Sequence, residues 1–201
     1  MSHDFIYTAN PARIVFGPGS LAKVADEIRQ LGGSRALVLS TPFQREDAER
    51  LNHELGELGT GVFFDAAMHT PVAVTEQAMK AYAEVGADCV VALGGGAPQV
   101  VVATTYAGSE VTPILGQTEV GIKTTVKDAS ILPEVVIYDA NLTLGLPVGM
   151  SVTSGLNAMA HAIEGLYAKD RNPITALMAL EGIRGLKEAL PVIVERPGDV
   201  E

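Results

Sequence analysis

Residues Asp88 to Glu110 read DCVVALGGGAPQVVVATTYAGSE, an apolar run, three glycines and a second apolar run. Gly94, Gly95 and Gly96, at the carboxyl end of a buried strand, let backbone N–H groups approach a phosphate with no Cβ in the way. A helix N-terminus normally follows to hold the charge. The expected order is strand, glycines, helix, strand, yet only GGGAP, Gly94 to Pro98, separates CVVAL from QVVVATT. Parallel neighbours need a crossover of about a dozen residues or more. A tight antiparallel hairpin would be short enough, but Pro98 beside two runs without polar alternation suits one poorly. The spacing therefore predicts that a crossover helix near Gly96 and Ala97 is deleted, or stands outside the sequence as given. Taken alone, the triplet also reads as a plain glycine turn.

A second candidate is the pair Asn157 and His161 in SGLNAMAHAIEGLYA. Four residues apart, they share one helical face and can address one ligand. A lone helical histidine is otherwise a structural residue. His3, His53 and His69 stand in no comparable arrangement, and Cys89, the sole cysteine, sits in an apolar run and reads as core. There is no disulfide framework and no cysteine-based metal site, which fits a reducing compartment.

The elements that must position these residues alternate short β-branched runs with helical patterns over the first two-thirds of the chain. That is the rhythm of an α/β domain with a mainly parallel sheet. RIVFG (Arg13 to Gly17), RALVLS, GVFFDA, DCVVAL and EVVIYD read as strands. Ser20 is expected to cap a helix ending at Gly32; further helices cover about Gln44 to Leu58 and Thr70 to Ala87. From about Val148 the pattern is helical only, so the expected division is 1–147 as the nucleotide-binding α/β domain and 148–201 as the first part of a truncated helical domain. Some fifty residues are thin for an independent core.

A net charge of −10 argues against nucleic-acid and anionic-membrane partners, because the whole-molecule field repels polyanions. The first residues lack the basic-then-apolar pattern of a signal peptide, and no segment reaches the roughly 18 apolar residues of a membrane span. The expectation is a cytoplasmic protein with a small-molecule partner.

The triplet GGG followed by ATTYAGSEVTPI, LPEVVIYDANLTLGLP and SGLNAMAHAIEGLYA resembles the iron-containing alcohol dehydrogenase superfamily. NAMAH, in place of the Asp-x-x-x-His of metal-dependent members, points to the maleylacetate-reducing branch. The resemblance implies a dehydroquinate synthase-like architecture, an α/β nucleotide-binding domain followed by a helical domain with the active site in the cleft between them, and a chain longer than this one. It further implies NADH or NADPH as cofactor, no metal, a dicarboxylate substrate and a homodimer. Carried over by position, Gly94, Gly95 and Gly96 match the pyrophosphate loop, although Ala97 replaces the serine that follows it in relatives. Thr104 and Thr105 match the wall of the cofactor cleft, Lys123 a lysine near the ribose, and Thr70 a place near the adenosine. Ser40 falls where NAD-selective relatives carry an aspartate for the ribose hydroxyls; without that carboxylate a 2′-phosphate is not repelled. Asn157 and His161 stand where metal-dependent relatives carry Asp and His, completed by two further histidines downstream; Asn being a weak ligand for iron or zinc, the pair is read as contacting substrate. By the family pattern Glu110 reads as a buried or capping carboxylate, structural rather than catalytic, and no catalytic acid is assigned. Two rivals stand beside this reading: a metal-dependent alcohol dehydrogenase of the same superfamily and a non-catalytic nucleotide-binding remnant.

Overall fold

The computed structural model describes residues 5, 7, 9, 12–67, 70–94, 99–119 and 122–200. Contacts divide the chain into two units, one of residues 10–104 and 108–140, the other of 1–9, 105–107 and 141–201.

The first unit contains strands β1 (Arg13–Phe16), β2 (Ala36–Leu39), β3 (Gly59–Phe63), β4 (Cys89–Leu93), β5 (Val100–Ala103), β6 (Ile114–Glu119), β7 (Ile122–Lys127) and β8 (Val135–Tyr138). It also holds helices α1 (Val24–Gln30), α2 (Arg45–Glu54) and α3 (Val72–Glu84). Six strands form one sheet in the order β1-β8-β5-β4-β2-β3, and every pairing in it is parallel. Val91, Val100 to Val102, Val135 and Val136 are almost wholly buried, as apolar strands covered on both faces must be. Cys89 lies in this core, and burial pushes its thiol up to about 11.

β4 and β5 are parallel neighbours, Val91 opposite Val100 and Leu93 opposite Val102, with only residues 94–99 between them. The tight hairpin is therefore excluded. The chain joins two parallel strands with about half the residues such a crossover needs.

Two local expectations are corrected, and one hairpin is added to them. Ser20 does not cap the first helix: it opens a short 3₁₀ turn that runs into α1, and its hydroxyl donates to the Tyr138 carbonyl. The cap comes instead from Asp139, whose carboxylate accepts from the Gly19 and Leu21 amides at 2.9 and 3.0 Å. A partner 118 or more residues away leaves no local trace in sequence. α2 is shorter than its pattern because Gly56, at φ +57°, breaks it before a separate 3₁₀ turn. β6 and β7 form an antiparallel hairpin that residue patterning does not reveal, because every residue of β7 is exposed and polar groups occupy both of its faces.

The second unit holds α4 (Val148–Tyr167) and α5 (Pro173–Glu195). Asn172 starts α5, its side-chain oxygen accepting from the Ile174 and Thr175 amides at 3.0 Å each in a reciprocal cap with Thr175. Gly155 of α4 gives Leu190 of α5 its seat, for a Cβ there would lie 2.5 Å from a Leu190 methyl. Leu156, Ile163 and Tyr167 of α4, with Leu177 and Met178 of α5, remain exposed. Among the described residues no helix is long and apolar enough to cross a membrane.

Candidate functional site

The order of the six-stranded sheet reverses at β2. The chain passes from β2 outward to β3, then returns through α3 to β4 on the other side of β2. In open parallel sheets ligands bind outside the carboxyl ends of the two strands flanking such a reversal. The residues arriving there are Ser40 and Thr41 after β2, Gly94 after β4 and Thr104 after β5.

Their geometry is polar and tightly drawn. Ser40 is 1% exposed, and its hydroxyl is the one buried side-chain polar atom without a hydrogen-bond partner among the described residues. Such an atom is costly unless something bonds to it. Gln44, just before α2, reaches across the end of β4: Thr41 Oγ1 donates to Gln44 Oε1 at 3.0 Å, and Gln44 Nε2 donates to Thr104 Oγ1 at 2.9 Å. Gly94 has φ +112°, a conformation that favours glycine, and a Cβ on it would stand 3.8 Å from Gln44 Oε1. Gly95 and Gly96, the rest of the triplet, lie outside the described residues, as do His3 and His69.

A second pair of candidates meets through the hairpin. Thr70 takes φ +41°, the only positive φ at a described non-glycine residue. Its carbonyl accepts from the Thr118 amide at 3.4 Å, and Thr118 stands opposite Lys123 across β6 and β7. Gly116 leaves room for the lysine stem, since a Cβ there would lie 3.5 Å from Lys123 Cε. A cavity of about 330 Å³ opens beside Thr70, lined also by Val72, Thr75, Met79, Leu115 and Gln117.

Nearer β8, Tyr138 donates to Glu110 at 2.8 Å, and Glu110 is 4% exposed. Burial, then the bond and the carboxylate charge, push the phenol well above its ordinary range. Glu110 thus sits where the sequence places it, as a buried carboxylate, and it holds the segment after β5 to the end of β8.

In the second unit, Thr105, Tyr106 and Ala107 line a cavity of about 280 Å³ together with Thr153, Ser154 and Asn157 of α4. Thr105 and Asn157 are therefore brought together. His161 lies one turn further along and is not buried: its side chain is 67% exposed, and its Nδ1 pairs with Glu164 at 3.1 Å. Asn157 and His161 offer one neutral amide and one imidazole, and no group of three His, Cys, Asp or Glu converges among the described residues. These side chains alone do not make a site for iron or zinc.

Sequence reasoning missed Gln44, Tyr106 and Ser154. None carries a spacing signal, because each reaches its place only through the turn after a strand or the phase of α4.

The comparisons agree with this architecture. Residues 11–99 match the family described as iron-containing alcohol dehydrogenase, and residues 151–201 match the C-terminal part of the same family. A maleylacetate reductase of Rhizobium sp. (strain MTP-10005) is 64% identical over 98% of this chain and 60% of its own length. One from Sphingobium indicum is 52% identical over the same shares. The crystal structure of maleylacetate reductase from Agrobacterium tumefaciens superposes with a TM-score of 0.95 at 62% identity, over 99% of this chain and 61% of that one. An iron-containing alcohol dehydrogenase from Corynebacterium glutamicum gives 0.92 at 35% identity, over the whole of this chain and 60% of its own. The chain thus spans about 60% of the length of these relatives. The Rhizobium alignment runs over 211 positions against the 201 residues here, so that relative carries at least ten positions this chain lacks. A parallel sheet whose strand order reverses at β2, a helical unit after it and two matched segments in register give one conclusion: the chain belongs to the iron-containing alcohol dehydrogenase family.

Proposed function

We propose that the protein is an NAD(P)H-dependent reductase acting on the C=C bond of maleylacetate to give 3-oxoadipate, in the breakdown of aromatic and chloroaromatic compounds. The observation that carries this reading is the 64% identity to the Rhizobium maleylacetate reductase over 98% of the chain. In this reading Gly94, Gly95 and Gly96 hold the pyrophosphate. Thr104 and Thr105 wall the cofactor, Ser40 and Lys123 address its ribose groups, and Thr70 lies near the adenosine. The buried, unpartnered Ser40 hydroxyl at the sheet reversal supports this placement, since a ribose or phosphate oxygen would complete its bonding. No carboxylate occupies Ser40, Thr41 or Pro42, so both NADH and NADPH are accepted.

The nicotinamide, when bound, supplies a hydride to an activated C=C bond. The chain's own residues bind and orient. Asn157, beside Thr105 in the 280 Å³ cavity, and His161 one turn away address a substrate carboxylate as a hydrogen-bond donor pair. No metal is assigned, because an Asn carbonyl and one His are a poor set for iron or zinc. In the same reading the protein is a soluble, cytoplasmic homodimer, and residues 148–201 are the opening part of the helical domain.

The test is NADH oxidation followed at 340 nm with the 201-residue protein: turnover that depends on maleylacetate supports the reading. A second reading, a nucleotide-binding remnant, is favoured by the short connection between β4 and β5. Nucleotide binding without turnover would select it. Stoichiometric iron or zinc in the purified protein would select the metal-dependent alcohol dehydrogenase instead.

A further inference from the structure

We propose that Gln44 is a latch across the nucleotide crevice: its carboxamide competes with the nucleotide for Thr104 and for the open side of Gly94, and must swing away on binding. The inference rests on the proposed nucleotide site at the reversal of the sheet. Three observations carry it. The Gln44 amide spans from Thr41, after β2, to Thr104, after β5, so it passes over the end of β4 that lies between them in the sheet. Gly94 is free of a Cβ where backbone must be approached closely, and what approaches it is Gln44 Oε1, 3.8 Å from where that Cβ would stand. Ser40, beside Thr41, is buried with an unpartnered hydroxyl, so a hydrogen-bonding group waits next to the latch without contacting it.

The side chain is well suited to such a part. A carboxamide both donates and accepts, so one neutral group ties the two threonines together with no charge to strand when they separate. Release exchanges two protein hydrogen bonds for bonds to the nucleotide and to water, a modest cost for each bond. Gln44 also sits at the end of a three-residue 3₁₀ turn, Pro42–Gln44, ahead of the first turn of α2, where side-chain rotation alone can clear the crevice.

The experiment is equilibrium binding of NADH and NADPH to the wild-type protein, Gln44→Ala and Thr41→Val. It is read by nicotinamide fluorescence, which no tryptophan obscures in this chain. Thermal melts in parallel show that each variant is folded. The latch predicts Kd values roughly five- to tenfold lower for Gln44→Ala, the effect of removing two modest hydrogen bonds. Thr41→Val, which frees one end, gives a smaller tightening and keeps the test open if Gln44→Ala does not fold. Binding by the wild type with unchanged or weaker binding by the variants overturns the latch and leaves the nucleotide site standing. No binding by any of the three proteins overturns both.

Discussion

At the scale of single residues, polar side chains near strand ends tie distant segments together. Asp88 accepts from the Ser34 hydroxyl at 2.7 Å and from the Ser34 and Arg35 amides, and these bonds, the hydroxyl first, hold its carboxyl below the ordinary range. A depressed carboxyl contributes stability above its unfolded value and loses it as pH falls through the lower folded value. Urea melts between pH 6 and pH 2.5 should therefore show wild-type stability falling through the acid range, with Asp88→Asn weaker at pH 6 and less pH-dependent below. Thr70, strained at φ +41°, gives an opposite case: Thr70→Gly should raise unfolding stability by about 1 kcal/mol. If Thr70 also touches the adenosine, the same variant weakens NADH binding, separating its two roles. At this scale the sequence was legible where local chemistry decides. Gly32 and Gly86 stop their helices with positive φ, as their positions suggest. Asp139 capping a turn at Gly19 and Gln44 reaching Thr104 were not legible, since only the folded sheet brings them together.

At the scale of elements, apolar β-branched runs made the sheet strands readable, and the lack of polar alternation marked CVVAL and QVVVATT, now β4 and β5, as buried on both faces. β5 pairs parallel to β4, the arrangement that the missing polar alternation favoured over a tight hairpin. The β6 and β7 hairpin escaped because its residues do not divide into an apolar and a polar face. In the helical unit Leu190 of α5 packs directly onto Gly155 of α4. Gly155→Ala should cost about 1–3 kcal/mol by overpacking. In a Leu190→Ala background the added methyl has room, so the cost should largely vanish. A double-mutant cycle measured by urea denaturation would show the coupling; additive effects would place the two helices differently.

At the scale of the whole molecule, the chain joins an α/β unit whose sheet reverses at β2 to a helical unit of the same family, over about 60% of its relatives' length. The six residues joining β4 to β5 are the departure from the α/β rule, and the Rhizobium relative carries at least ten more positions across the alignment. If the relative's extra positions form the crossover helix, inserting them between Gly96 and Ala97 should tighten nucleotide binding, because a helix N-terminus is then aimed at the pyrophosphate. Unchanged affinity would place those positions elsewhere. The central claim is that the dinucleotide lies at the carboxyl ends of β2, β4 and β5. The most direct measurement is amide hydrogen exchange of the 201-residue protein with and without saturating NADPH. Slowed exchange at residues 40–44, 94–96 and 104–105, with the opposite edge of the sheet unchanged, is the predicted result; binding that leaves all three segments unprotected would contradict it.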